Sequence, residues 1–424
     1  MTAQADAAGN ITGFRRRDYF KITIFGFAIT ALWQSLHTVI LPLRILDFVP
    51  EAQKNTYLGL LTFAGLVLGM LVQPLAGAAS DRAPWRWGKR RPYILFGTVA
   101  ALVLLPGLGL AGSYLVLFLA YALLQVSTNA AQGPYQGFIP DMVPAGKRGR
   151  ASGVKSFLEV AGGVALIYPV ALLMDRYFLS GSAAWLWFAL GALGLTLLIA
   201  MMATMMLVRE NPLTGGPPPP LLTALRDAFR IDLRKHRDFA WFLGSRLLVF
   251  MGFTTIQQFA LNFLRDVIGV TSPAEATARF SLIAVAGMFV IVYPAGHLAD
   301  RLGRRPVNIA SSLLGAAGIG IIFLTQQYVP TLLAAGVIGL AIGAFNSSNW
   351  ALANDLLPER EGARFLGLAN MATAGGAALA RLIGPLIDVL NRQDGTLGYQ
   401  VMLLACFGYF VLGALLITRI GARR

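Results

Sequence analysis

The sequence predicts an all-α membrane protein of twelve transmembrane helices, arranged as two six-helix bundles related by pseudo-symmetry. Three observations lead there. The chain of 424 residues is 56% hydrophobic but only 13% charged, about half the charged fraction of a soluble domain. Apolar runs recur at the length of about 20 residues that a helix needs to cross the hydrocarbon core. The two halves also repeat. "RRDYF" (16–20) matches "HRDFA" (236–240) at an offset of 220, and Gly77 and Asp81 match Gly296 and Asp300 at 219. Asp141, Pro144, Arg150 and Gly153 match Asp355, Pro358, Arg364 and Gly367 at 214. A soluble all-α protein would need far more polar sequence to cover so much apolar surface.

The spans follow in order. The first apolar run, 19–43, comes after "FRRRDYFK" and is long enough to span. It is therefore read as an anchor that stays, not as a cleaved leader. The others of the first half are 56–80, 92–112, 114–139, 151–176 and 183–208. Those of the second are 238–264, 279–299, 306–327, 330–354, 364–390 and 397–419. Between them lies 209–237, "RENPLTGGPPPPLLTALRDAFRIDLRKHR", whose Gly-Pro cluster cannot continue a helix. Leu221, Leu222, Leu225, Phe229 and Leu233 then recur at helical spacing among arginines. That pattern fits an amphipathic helix on the membrane surface, or a basic linker. The organisation expected is a bundle over 1–208, a cytoplasmic linker over 209–237 and a bundle over 238–424.

"GLVLG" (65–69) and "GLAIG" (339–343) are small-xxx-small signals of close helix packing. Pro42, Pro74, Pro134, Pro169, Pro294 and Pro385 are expected to kink their spans.

The net charge of +15 would point to nucleic acid in a soluble domain. Here it sorts by side. With the N-terminus inside, the inner segments hold 26 of the 35 Lys and Arg residues and the outer segments 6. That bias places both termini in the cytoplasm of a multi-pass protein of the cell membrane, with the lipid bilayer and not nucleic acid as partner. The one cysteine, Cys406, excludes an intrachain disulfide and a thiolate metal site. "GGPPPP" is a linker rather than a phosphate loop, so ATP-driven transport is disfavoured.

Two loops concentrate charge: "SDRAPWRWGKRRPYI" (80–94) and "ADRLGRRPV" (299–307). In each, a carboxylate closes one helix and cations open the next. Asp81, Arg82, Arg90 and Arg91 in the first, and Asp300, Arg301, Arg304 and Arg305 in the second, are candidate gating residues. Asp141, Arg150, Asp355 and Arg364 join them through the repeat. Cations that pair with carboxylates across the halves would act as a latch. Simple topological anchoring is the alternative.

The ionisable residues inside spans are His37, Lys155, Glu159, Arg246 and Arg381, and such groups are costly in lipid. Glu159 lies deepest among the carboxylates and is read as a coupling group. A structural pair with Lys155 or Arg246 stays open, and His37 is a second coupling candidate. Lys155 is expected to snorkel. Arg246, with five donors, suits an anionic or hydroxyl-rich solute. Arg381 is expected to pair with Asp388.

Neutral polar residues gather as well. Gln34 and His37 lie in the first span and Gln125, Asn129, Gln132 and Gln136 in the fourth. Thr254, Gln257, Gln258 and Asn262 lie in the seventh, and Asn346, Ser347, Ser348 and Asn349 in the tenth. The fourth-span set recurs at spacings of four, three and four, which is one helix stripe. Through the repeat His37 maps onto Gln257 and Gln132 onto Asn346. Amides both donate and accept, which suits a polyhydroxylated ligand. Gln34, His37, Gln125, Asn129, Gln132, Arg246, Gln257, Gln258, Asn346 and Asn349 are the candidate solute-binding residues. Interhelical hydrogen bonding is the competing role.

The two loops resemble the signature of the major facilitator superfamily, roughly G-x-x-x-D-R-x-G-R-R. Here it is carried by Gly77, Asp81, Arg82, Gly88, Lys89, Arg90 and Arg91, and again by Gly296, Asp300, Arg301, Gly303, Arg304 and Arg305. "SDRAPWRWGKRRPYILFG" and "NAAQGPYQGFIPDMVP" (129–144) are similar to the glycoside–pentoside–hexuronide and sucrose-transporter branch. Asn129, Gln132, Gly133, Pro134 and Asp141 carry the second likeness. The resemblance implies two rocking bundles around a central cavity, and a sugar as solute. Two features depart from that branch. Gln125 and Gln136 stand where its fourth-span Asp and Arg are expected, and "YLGLLTFAGLVLGMLVQPLAG" (57–77) has no acidic residue.

The function expected is a secondary active transporter of a small polar solute, a sugar or glycoside with proton coupling. The alternatives are a proton-driven exporter of drugs or amphipathic metabolites, and a membrane receptor without turnover. Catalysis, cofactors and metals are not expected, and the chain is read as a monomer.

Overall fold

A computed structural model describes residues 15–82, 85, 87–210, 236–356 and 362–421. Arg86 and the stretch 221–233 read as amphipathic lie outside the described residues. Among the described residues, twelve helices are long and apolar enough to cross a membrane: α1 (Arg16–Ile45), α2 (Glu51–Ser80), α3 (Arg91–Leu110), α4 (Tyr114–Met142), α5 (Arg148–Ser180), α6 (Ala183–Leu207), α7 (Arg237–Asp266), α8 (Pro273–Leu302), α9 (Arg304–Thr325), α10 (Tyr328–Leu356), α11 (Phe365–Asn391) and α12 (Leu397–Thr418). Each overlaps its expected span: α3, α6, α9, α11 and α12 stop one or two residues short of it at one end, and most run past it at another. Among the described residues there are no strands.

Three of the six span prolines lie in continuous helix: Pro74, Pro134 and Pro294. The other three follow local breaks. Pro42 cannot donate to the Thr38 carbonyl, and the chain winds as a π-helix over Leu36–Ile40 just before it. Pro169 follows an interruption at Leu166, and Pro385 a 3-10 turn at Ala380–Ile383. Gly181, at φ +67, ends α5 in the left-handed conformation, and Gly303, at φ +95, turns the chain from α8 into α9.

The contacts divide the chain into two compact units. One takes the described residues of Met1–Ile40 and Ala64–Ala224, the other those of Leu41–Phe63 and Leu225–Arg424. The end of α1 and the beginning of α2, early in the sequence, therefore group with the second unit. In the first unit Gly162 of α5 lies against the backbone of Phe27 in α1, where a Cβ would collide with the Phe27 carbonyl. In the second, Gly339 and Gly343 of α10 lie against the backbone of Ala284 and Met288 in α8. "GLAIG" is thus the packing motif expected of it. The second unit's core stacks Phe239 and Phe242 of α7 with Phe365 of α11, Leu352 of α10 and Ile417 of α12.

Candidate functional site

In the first unit α1 and α4 build a hydrogen-bonded chain of four side chains. His37, within the π-helical turn, lies 2.8 Å from the Tyr121 hydroxyl through Nε2. Gln125 Nε2 donates to the same hydroxyl at 2.8 Å, and Asn129 Nδ2 donates to Gln125 Oε1 at 2.9 Å. Gln125 presents a donor to Tyr121, and the tautomer of His37 decides whether its Nε2 accepts the phenol proton or donates to the hydroxyl. Trp33 stacks on the His37 ring, 5.1 Å between centroids, and stands edge-on to Tyr121 at 5.9 Å. Gln34 is spent locally on Thr38. Gln125 and Asn129 are buried, Gln132 is half-buried and Gln136 exposed, so the amide stripe loses its cover along α4.

Two glycines of α2 make room for this chain. A Cβ at Gly65 would strike the Tyr121 ring, and one at Gly69 the Asn129 amide. "GLVLG" therefore accommodates polar side chains of α4, where close helix packing was expected. Tyr121 and Trp33 were not among the sequence candidates. The signal was present: Tyr121 sits four residues before Gln125, and Trp33 four before His37, each one helical turn away.

About 16 Å along α1 from His37, by helical rise, Gly26 opens onto a second group. A Cβ there would meet the Tyr135 hydroxyl and the Glu159 side chain. Tyr135 donates to the Thr23 carbonyl at 3.0 Å. Lys155 lies 3.6 Å from Glu159 and 5.6 Å from the Tyr135 ring centroid. Lys155 thus turns to Glu159 and Tyr135, where snorkelling was expected.

In the second unit Arg246 of α7 is 2% exposed. Its Nε donates to the Ala369 carbonyl at 3.1 Å and to Thr373 Oγ1 at 2.8 Å, and its Nη1 to Asn349 Oδ1. Asn349 Nδ2 in turn donates to Asn308. The guanidinium lies 4.3 Å from the Trp350 ring centroid. No carboxylate among the described residues pairs with Arg246. The repeat relates the two groups: Asn349 and Thr373 lie 214 positions after Tyr135 and Glu159, and Arg246 lies 220 after Gly26. Gln257 and Asn346 are half-buried, and Gln258 is buried with no acceptor for its Nε2 among the described residues.

Among the described residues, the signature loops form ion pairs within each unit. Arg90 reaches Asp141 through Nε at 2.5 Å, Asp81 through Nη2 at 2.7 Å and Ser80 through Nη1 at 3.3 Å. Lys89 adds Asp141 at 2.9 Å and Asp81 at 3.7 Å. Arg91 donates to the Met205 carbonyl. Glu210, beyond α6, receives the backbone N–H groups of Arg90 and Arg91 at 2.9 and 3.0 Å. Burial pushes the Glu210 carboxyl above its ordinary value, against the opposing pull of these N–H groups and of Arg90. In the second unit Arg304 pairs with Asp355 and Arg305 donates to the Thr418 carbonyl. Arg150, Asp300 and Arg301 are exposed. Arg82 closes a turn after α2, and Arg364 lies in the first turn of the helix from Gly362.

Asp388 departs from its expected pairing with Arg381. Its Oδ2 accepts from Thr56 N at 2.6 Å, and its Oδ1 from Asn55 Nδ2 at 2.8 Å and Asn55 N at 3.3 Å. A negative charge is favoured at a helix N-terminus, and that preference draws Asp388 to the start of α2. Arg381 donates instead to Ala377 in its own helix. Asn55 continues to Asn262 at 2.8 Å and Tyr399 at 3.2 Å, and Lys54 pairs with Asp266 at 2.6 Å.

The family model described as Major Facilitator Superfamily matches residues 18–381, and again 272–424. The chain belongs to the Major Facilitator Superfamily. A fosmidomycin resistance protein of Escherichia coli (strain K12) is 26% identical over 82% of each chain. The minor myo-inositol transporter IolF of Bacillus subtilis (strain 168) is 32% identical over 107 residues, 25% of this chain and 24% of that one. Among solved structures, a D-xylose–proton symporter superimposes with a TM-score of 0.70 at 17% identity, covering 96% of this chain and 98% of that one. This superfamily member is a multi-pass membrane protein with the fold of transporters. The narrower sucrose-transporter likeness is not among the matches that show the family.

Proposed function

We propose that the protein carries a small polyhydroxylated solute, a sugar or polyol, across the cell membrane by proton-coupled alternating access, with both termini in the cytoplasm. The carrying observation is the Trp33–His37–Tyr121–Gln125–Asn129 group. An aromatic face stacks on the apolar face of a pyranose or cyclitol ring, and a row of amides exchanges hydrogen bonds with its hydroxyls. Within the second unit, Gln257, Gln258 and Asn346 carry amides of the same chemistry, and Gln258 Nε2 has no acceptor among the described residues. Myo-inositol and xylose, named for two of the similar proteins, belong to this solute class.

Coupling falls to His37 and Glu159. In the tautomer whose Nε2 accepts, protonation would turn His37 Nε2 from acceptor to donor and release the Tyr121 proton for another partner. Solute contacts and proton occupancy would thereby be linked through one hydroxyl. Glu159 beside Lys155 is a second site able to exchange a proton, and Arg246 could take a solute oxygen if Asn349 yields. The Asp81–Arg90–Asp141 and Arg304–Asp355 networks, with Arg82, Arg91, Arg150, Asp300, Arg301, Arg305 and Arg364 around them, would gate the cytoplasmic side.

The test is uptake of labelled pentoses, hexoses and inositols into proteoliposomes, with and without an inward proton gradient. Gradient-stimulated uptake that His37→Asn or Glu159→Gln makes insensitive to the gradient is expected. The match to the fosmidomycin resistance protein over 82% of each chain favours a second reading, a proton-driven exporter of drugs or amphipathic metabolites. Absence of uptake together with proton-driven extrusion of such a compound would replace the first reading with that one.

A further inference from the structure

The two signature loops are built alike up to one difference. Arg90, Arg91, Pro92 and Asp141 correspond to Arg304, Arg305, Pro306 and Asp355 at an offset of 214. In both copies the first arginine pairs with the α4 or α10 aspartate. In both, the second donates to a carbonyl near the end of the sixth helix of its half, Met205 or Thr418. In the first copy an anion then sits on the helix start: the Glu210 carboxylate takes the backbone N–H groups of Arg90 and Arg91. In the second copy the start of α9, behind Gly303, has no side-chain cap. The sequence where Glu210 would recur, "RIGARR" (419–424), holds three arginines and no carboxylate.

What the second copy has instead is a cleft of about 740 Å³. Arg304 and Arg305 stand at its mouth. Its walls are Ile309 and Leu313 of α9, Leu352 and Leu356 of α10, and Ile420 beyond α12. Asp355 is taken by Arg304 and Asp238 lies at the far edge by Gly421, so Arg305 and the first N–H groups of α9 remain to meet an anion beside an apolar groove.

We propose that this cleft binds an anionic glycerophospholipid, with its phosphate at Arg305 and the start of α9 and an acyl chain along Ile309, Leu313 and Leu352. The phosphate would take the place that the Glu210 carboxylate fills in the first half. Helix N-termini favour such anions, and basic pockets between spans on the cytoplasmic side favour lipid headgroups. The charge bias of the loops assigns this end of α9 to the cytoplasmic leaflet. A free phosphate would have no use for the apolar walls, and so the lipid is the occupant. The inference is independent of which solute is carried.

The test is lipid retention by the purified full-length protein in mild detergent, read by native mass spectrometry. Phosphatidylglycerol, phosphatidylcholine of the same chains, and glycerol phosphate are each titrated. Phosphatidylglycerol should be held at least about five-fold more tightly than phosphatidylcholine, and Arg305→Gln should lose about five-fold of that affinity. Arg305→Lys should restore most of it. Ala310→Trp, which fills the groove, should weaken both lipids, and Glu210→Gln in the other copy should leave both unchanged. Each variant is checked for a native melting transition. Equal retention of the two lipids, or an unchanged Arg305→Gln, would overturn the proposal. Competition by glycerol phosphate as strong as by the intact lipid would overturn it too, in favour of a free-anion site.

Discussion

Tyr121 carries no charge, yet it is the joint on which the polar chain of the first unit turns, since its hydroxyl is shared by His37 and Gln125. Tyr121→Phe keeps the ring that packs on Gly65 and Trp33 and deletes only the oxygen. Buried Gln125 and half-buried His37 then lose a partner, a change of about 1–3 kcal/mol. Solute affinity in uptake assays should fall roughly ten-fold or more, with little change in the detergent melting temperature. The sequence made Gln125 and Asn129 legible because an amide inside an oily run is conspicuous. A tyrosine there reads as bulk, and only its one-turn spacing from Gln125 marks it. Glu210 was equally hidden, because nothing in "RENP" tells that its carboxylate folds back onto a loop 120 positions earlier. Its carboxyl is raised by burial. The sign follows: the stability it contributes is present at acidic pH and declines as pH rises through its folded value. Glu210→Gln should flatten that decline in melting temperatures measured across the carboxylate range.

Among the elements, α2 shows most clearly what spans alone cannot tell. Its existence follows from a long apolar run, and its boundaries were close to those observed. Its N-terminus, however, is capped by Asp388, a residue 333 positions away in α11. Pairing of Arg381 with Asp388 was the economical expectation, since both lie in one span. Three donors at the head of α2 outcompete one guanidinium. Asp388→Ala would strand Asn55 N, Asn55 Nδ2 and Thr56 N, and should cost about 2–4 kcal/mol, read as a lowered melting temperature. Asp388→Asn keeps one acceptor oxygen and should lose less. Farther along the same helix, Gly65→Ala drives a methyl into the Tyr121 ring. The expected result is a larger loss of uptake than of stability, because the ring can yield only by leaving its place beside His37.

The whole molecule is a duplication whose two copies have drifted, and the drift has energetic consequences. The repeat was readable from three sets of matches, and both copies of the arginine–aspartate bridge recur in the fold. What spacing could not convey is burial. The Arg90 side chain is 8% exposed and touches two carboxylates, whereas Arg304 and Asp355 are 31% and 51% exposed. An exposed pair contributes about 0–1 kcal/mol, while breaking a buried one costs about 3–5 kcal/mol. Lys89, 2.9 Å from Asp141, remains to shield the carboxylate when Arg90 is removed, which pulls the expected cost of Arg90→Gln down to about 2 kcal/mol or more. Arg304→Gln should stay within about 1 kcal/mol. Melting of the two variants in the same detergent measures the difference directly. The double change Arg90→Gln with Asp141→Asn, which removes the stranded charge along with its partner, should recover part of the loss. Equal losses for the two single variants would mean that burial of Arg90 gives the first copy's network no advantage over the second's.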